Sequence, residues 1–341
     1  LGADHLGPYA WQGQPAAQAM KNVETLARLC VEAGFRKIHL DTGVACADDP
    51  GPPLPLETAA LRAARLCRAA EAAVVRPDHP PMYVIGNDVP PPGGGLTPDA
   101  QVHVTSPDQL DATLQAYRRA FERAGVRHAW ERVMAVVVQP GVEFGDQRVA
   151  VYDPEQAVCL SAAHACLPGA MTFEIHAADY QPPEAMDRMV ADHFVLLKVG
   201  PCLTFAFRRA LYGLESIERQ LPGIAHRSNL TQVMEDLMTA DPQHWQGRYA
   251  GDEAAARYLR HHSLRDRIRY YWSRPAARQA VDRLMDNLKQ SLPDELIERH
   301  LPEHHADIQR LGLNADPGAI VHLYISEALA PYVAACGRSL L

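Results

Sequence analysis

The sequence predicts an α/β fold: a TIM (β/α)8-type barrel that lacks its first two βα units and carries a C-terminal α-helical addition. Three observations predict it. Short β-branched runs recur, each followed by a long Ala-, Leu- and Arg-rich stretch, the alternation expected of parallel βα units. The later runs show little polar alternation, as expected of strands covered by helices. Beyond about residue 225 strand patterns stop and helical periodicity continues alone. This divides the chain into barrel units three to eight over 1–224 and a helical addition packed on the barrel over 225–341.

Taken in order, residues 1–3 read as the end of a strand whose helix covers 15–33. Arg36-Lys-Ile-His-Leu-Asp41 is the next strand, followed by a helix over 55–75. Met82-Tyr-Val-Ile-Gly86 precedes a helix over 107–124, and Val133-Met-Ala-Val-Val-Val138 one over 154–166. Ala170-Met-Thr-Phe-Glu174 leads to a helix over 183–192, and Phe194-Val-Leu-Leu-Lys198 to one over 204–221. These six units are two short of a closed barrel of eight. Since the chain opens with Leu1 and enters at once on a strand, it reads as a fragment or a processed chain. Helical stretches at 230–237, 254–261, 276–290 and 319–335 form the addition, and the Pro/Gly run 89–95 suits a loop.

Composition narrows the function classes. Of 341 residues, 33 are Lys or Arg and 41 Asp or Glu, a net charge of −8 with scattered basic residues, so the footprint of a nucleic-acid binder is missing. No run approaches the roughly 18–20 apolar residues of a membrane span and there is no signal pattern, so the expectation is a soluble cytoplasmic protein without a membrane. Seven cysteines, with no Cys-x-x-Cys pair, read as reduced thiols. Neither a phosphate loop nor a dinucleotide fingerprint is present, which argues against a nucleotide cofactor.

In a barrel of this kind the chemistry sits where strands end. Every strand end here carries a His, a carboxylate, an amide or a Lys: Asp4 and His5; His39, Asp41 and Asp49; Asp88; Gln139 and Glu143; Glu174, His176 and Asp179; Lys198. Such convergence suits a divalent metal, zinc or similar, held by imidazole and carboxylate beside a group free to move protons. The candidate ligands are His5 and His176, with Glu143 or Glu174 as the third. Asp4 and Asp41 are candidate acid/base groups, with Asp49 and Glu174 as further catalytic candidates. His39, Asp88, Gln139 and Asp179 are candidate substrate contacts, and Lys198 suits a phosphate or sugar oxygen. Taken singly, any such His or Asp also reads as a helix cap or loop hydrogen-bonder. Arg269, in Asp266-Arg-Ile-Arg-Tyr-Tyr-Trp272, either reaches a phosphate or packs the helical addition on the barrel.

Several motifs carry a resemblance. They are Asp4-His-Leu-Gly-Pro8, Ala33-Gly-Phe35, Lys37-Ile-His-Leu-Asp41, Cys46-Ala-Asp-Asp-Pro50, Tyr83-Val-Ile-Gly86, Val137-Val-Gln-Pro-Gly-Val-Glu-Phe144, Asp192-His-Phe194, Leu197-Lys-Val-Gly-Pro201 and Asp266–Trp272. Together they resemble the GatZ/KbaZ family, accessory subunits of class II D-tagatose-1,6-bisphosphate aldolase that are also labelled tagatose-6-phosphate kinases. The resemblance implies a TIM barrel related to class II aldolases, a role in galactitol and tagatose catabolism, and a GatY/KbaY-type catalytic subunit as partner. It implies most simply a stabilising, non-catalytic subunit. The alternative it implies is a metal-dependent 4-epimerase acting on tagatose, fructose or their 6-phosphates by retro-aldol and aldol chemistry. Asp4-His5 resembles the aldolase pair of a proton-transfer Asp and a metal His, and His176 resembles a second metal His. A third aldolase His falls in the stretch 139–143, where this chain has none. The chain also departs from the family pattern at Asn87-Asp88, and at Ala177 and Ala178 in Glu174-Ile-His-Ala-Ala-Asp-Tyr-Gln181.

Overall fold

A computed structural model of the chain describes residues 1–86, 94–95 and 102–338. Asp88 and most of the Pro/Gly run lie outside the described residues. The chain runs β1 (Gly2–Leu6), α1 (Ala16–Glu32), β2 (Lys37–Leu40), α2 (Leu56–Glu71), β3 (Met82–Ile85), α3 (Pro107–Arg123), α4 (Arg127–Trp130) and β4 (Val133–Val137). It continues with a hairpin of β5 (Glu143–Phe144) and β6 (Val149–Ala150), then α5 (Pro154–Ala163), β7 (Thr172–Ile175), α6 (Pro183–Ala191), β8 (Phe194–Leu197) and α7 (Pro201–Glu218). Helices α8 (Leu230–Ala240), α9 (Glu253–His262), α10 (Pro275–Asn287), α11 (Asp294–His300), α12 (His305–Leu311) and α13 (Pro317–Arg338) follow.

Local chemistry sets these boundaries. Proline opens α3, α5, α6, α7 and α10, where its missing N–H costs nothing. Ser106 and Gln109 close a capping box on α3. Strands with no polar alternation are buried on both faces: Tyr83, Val84 and Ile85 are all sealed from solvent.

Six strands pair in parallel in the order β1-β2-β3-β4-β7-β8. The sheet is strongly curled. Strands β2 and β7 stand three sheet positions apart, about 14 Å if flat, yet Lys37 Nζ of β2 lies 2.6 Å from Glu174 Oε2 of β7. Lys198, just after β8, reaches Asp4 on β1 at 3.2 Å. The six expected units are therefore present as an open half-barrel. Among the described residues β1 and β8 each pair on one side only, so these strands do not close a barrel.

The core has two main parts. One lies between the sheet and helices α1 to α6, with Ile38, Leu40, Phe173 and Ile175 facing outward into it. The other belongs to the helical region, and α7 contributes to it from Ala206 onward. Helix α13 departs from the expectation that no segment matches a membrane span: over Pro317–Gly337, 21 residues, it is long and apolar enough to cross one. It instead packs on α6 and α7, and Tyr332 Oη donates to the Ala178 carbonyl at 3.0 Å.

Candidate functional site

Side chains two apart on a strand share a face. On β2 this aligns Lys37, His39 and Asp41, and on β7 it aligns Glu174 and His176, on the concave side of the sheet. Their convergence follows from the curl. The rings of His5, His39 and His176 form a triangle with centroid separations of 5.4 Å, 5.1 Å and 5.2 Å. His176 Nε2 lies 3.0 Å from Glu174 Oε1. Lys198 Nζ lies 3.1 Å from His39 Nδ1 and 3.2 Å from Glu174 Oε1, while Lys37 bridges Glu174 and Asp4.

The electrostatics favour neutral imidazoles at His39 and His176 and charged carboxylates at Glu174 and Asp4. Burial, reinforced by the Lys198 ammonium, pushes His39 well below its ordinary value and His176 down to about 4. Burial alone would raise Glu174, but the His176 hydrogen bond and the Lys198 charge outweigh it and hold the carboxyl below the usual range. Asp4 follows the same pattern, with Lys198 and Lys37 overcoming burial.

These shifts make the fold acid-sensitive. The unfolded chain protonates His176 near its ordinary pH of 6.5, the folded chain only near 4. The stability tied to the neutral ring is thus complete above 6.5 and is lost as pH falls toward 4, by roughly 3 kcal/mol for such a shift. Lowered His39 and Glu174 act in the same direction. Urea midpoints should drop accordingly between neutral pH and pH 4.5, and less so in His176→Ala. Equal midpoints at the two pH values would contradict the burial argument.

A cation fits this cluster. His39, Glu174 and His176 are buried and each offers a donor atom within 4.8 Å of the others. His39 Nε2 and His176 Nδ1 are buried without a hydrogen-bond partner, a costly arrangement that a bound cation would relieve. Two imidazoles and a carboxylate are also a donor set found in catalytic zinc sites.

The sequence candidates are distributed unevenly about this cluster. His176 and Glu174 lie within it, and the second imidazole at ligand distance is His39, which sequence reasoning placed with the substrate. His5 stands against the rings but turns Nδ1 to Asp41 Oδ2 at 3.0 Å, with its side chain 37% exposed. It also adopts a left-handed backbone, φ 53°, as does Ala177 at 54°, strain of the kind that gathers at functional sites. Glu143 lies beyond its strand in the β5–β6 hairpin, where it accepts from the Phe144 N–H and burial raises its pKa. Glu174 fills the place beside the imidazoles instead.

Other candidates have local partners. Asp49 is held by both terminal nitrogens of Arg62, 2.9 and 2.7 Å, and by the Cys46 N–H. Asp179 accepts from the Gly200 and Cys202 N–H groups, 2.9 and 2.8 Å, and so caps α7. The Gln139 side-chain oxygen accepts from Gly141 and Val142. Arg269 donates to the Arg265 and Asp266 carbonyls and to the Tyr270 hydroxyl. Lys37 escaped the sequence reasoning, although a charged residue two before His39 in a buried strand was a signal for it.

Comparison with known proteins agrees with this architecture. A family model described as D-tagatose-1,6-bisphosphate aldolase subunit GatZ/KbaZ-like matches residues 1–337. The chain is also similar to the crystal structure of a probable tagatose 6 phosphate kinase from Sinorhizobium meliloti 1021. Identity is 42%, the match covers 98% of this chain and 82% of that one, and the TM-score is 0.88. With a matched stretch that takes in every strand of the half-barrel and all its concave-face residues, the chain belongs to the GatZ/KbaZ-like family of D-tagatose-1,6-bisphosphate aldolase subunits.

Proposed function

We propose that this aldolase-related chain has a working site of its own, a divalent-cation-dependent ketose 4-epimerase acting on tagatose, fructose or their 6-phosphates. The observation that carries this reading is the pair of buried, unpartnered imidazole nitrogens on His39 and His176 beside the ionised Glu174. When bound there, a zinc-like ion supplies Lewis-acid polarisation of the substrate carbonyl. His39, Glu174 and His176 hold it. His5, oriented by Asp41, takes the proton of the C4 hydroxyl. The C3–C4 bond then breaks to an aldehyde and a three-carbon enolate. Rotation of the aldehyde and re-addition invert C4, and His5 returns its proton to the new C4 oxygen. Lys198 stabilises negative charge on substrate oxygen, while Asp4, fixed between two ammonium groups, balances their charge.

The family description favours a second reading, a stabilising subunit for a GatY/KbaY-type catalytic chain in galactitol and tagatose catabolism. A cytoplasmic location accompanies either reading. The test offers the chain alone, loaded with zinc, each of the four ketoses. Appearance of the 4-epimer supports the enzyme reading. Absence of turnover, together with support of a catalytic partner's aldolase activity, supports the second.

A further inference from the structure

The segment 176–181, between β7 and α6, begins with His176 and holds an unfavourable backbone. Ala177 and Tyr180 both adopt left-handed φ values, 54° and 63°, which a residue with a Cβ takes only at a cost. Neighbouring side chains offset part of that cost. Asp179 caps α7, and Gln181 accepts from the Tyr152 N–H and donates to the Ala150 carbonyl, both at 2.9 Å. On the side of the His cluster, the Ala178 N–H donates to the Lys198 carbonyl at 3.4 Å and the Lys198 N–H to the Ile175 carbonyl at 2.9 Å. A relaxation of this segment therefore moves His176 and the Lys198 backbone together.

Two further bonds come from the helical region. Tyr180 Oη donates to the Leu264 carbonyl at 2.6 Å, across 84 residues of sequence, and Tyr332 Oη of α13 donates to the Ala178 carbonyl at 3.0 Å, across 154. Neither anchor is loose. The Leu264 N–H donates to the Asp146 carbonyl at 2.8 Å, and Asp266, two residues on, forms a buried ion pair with Arg208 of α7 at 2.7 Å. Tyr332 is 6% exposed, on a helix packed against α6 and α7. The Tyr180 ring stands edge-to-face with Phe144 and Phe205, centroids 5.4 Å and 5.7 Å away, so a phenylalanine there keeps the packing and loses only the hydroxyl.

We infer that Tyr180 and Tyr332 are positioning residues whose hydroxyls, by fixing 176–181 to the helical region, hold His176 at ligand distance from His39 and Glu174. Both hydroxyls bond backbone carbonyls rather than the donor side chains, so they act through the path of the chain. The inference rests on the cation reading above and gives the helical region a part in that site.

Zinc is the probe, titrated calorimetrically into the full chain. In the double variant Tyr180→Phe/Tyr332→Phe its affinity should fall about tenfold or more, the scale of one or two lost hydrogen bonds. Adding Ala177→Gly should restore part of the affinity, because glycine takes the left-handed backbone without the Cβ penalty. Tyr271→Phe is the control for a merely structural loss. Its hydroxyl bonds the Asp241 carbonyl at 2.5 Å within the helical region, so its urea midpoint should fall while zinc affinity stays at the wild-type value. Wild-type affinity in the double variant overturns the inference, as does an equal loss in Tyr271→Phe. If the double variant fails to fold, the two single variants take its place under the same criteria. A wild type that binds no zinc sinks the cation reading, and amide exchange then decides the tie by itself. Relative to the amides of β4, those of 176–181 should exchange about tenfold faster in the double variant than in wild type, as local opening would produce. Equal relative exchange overturns the inference.

Discussion

Replacing His176 by alanine should lower zinc-dependent 4-epimerisation about a thousandfold or more. The lost Lewis-acid stabilisation amounts to several kcal/mol, and each 1.4 kcal/mol is roughly tenfold in rate. The substitution removes one of two unpartnered imidazole nitrogens and leaves Glu174 with its lysine partners. Bound zinc, measured by metal analysis after dialysis, should fall together with the rate. His39→Ala should behave alike, because its ring completes the same donor set. If the chain serves only to stabilise a catalytic partner, both variants should sustain that partner's aldolase activity as wild type does. A His176→Ala chain with wild-type zinc content and turnover would remove the cation from this pocket altogether.

Gly7→Ala should destabilise the fold by about 3 kcal/mol or more, or prevent folding, at or beyond the upper end of ordinary overpacking because the backbone cannot relieve the clash. A Cβ at Gly7 would sit 1.5 Å from the Asp41 carbonyl oxygen and 2.7 Å from its carbon. Neither segment has room to withdraw. Leu6 is paired with Leu40, and the Asp41 N–H donates to the Leu6 carbonyl at 3.0 Å. Gly13, where an added Cβ would meet no atom within 4 Å, is the control and should tolerate alanine nearly unchanged. Urea midpoints of the two variants decide the matter, and similar midpoints would contradict the close approach. Because Asp41 also orients His5, any Gly7→Ala protein that does fold should have a misplaced proton-transfer pair.

The strand–helix alternation was legible because its signals are local. β-Branched runs, proline-opened helices and amphipathic spacing all act within a dozen residues, so each expected strand of the sheet has a counterpart. The hairpin Glu143–Phe144 with Val149–Ala150 escaped because two-residue strands have no period to read. The membership of the His cluster was only partly legible. Glu174 and His176 announced themselves as polar residues at a strand end, but the closeness of His39 to them depends on the sheet's curl, which no local pattern encodes. Asp49, Gln139 and Asp179 show the converse. They have the residue types of a catalytic site, yet backbone N–H groups or a guanidinium come to meet them in the folded chain. What separates a cap from a ligand is the neighbour that arrives, and that neighbour is set by tertiary structure.

The curl also governs when the pocket comes into being. Its charged and ring-bearing groups run from Asp4 to Lys198, contributed by strands at opposite margins of one sheet. A growing polypeptide emerging from the ribosome has its first imidazoles long before β7 and β8 exist to meet them. Contacts of such large sequence separation form late and carry a heavy loop-closure cost. A cation held by His39, Glu174 and His176 would therefore find its donor set only once β7 has joined the sheet, and its occupancy would stabilise that state over every earlier one.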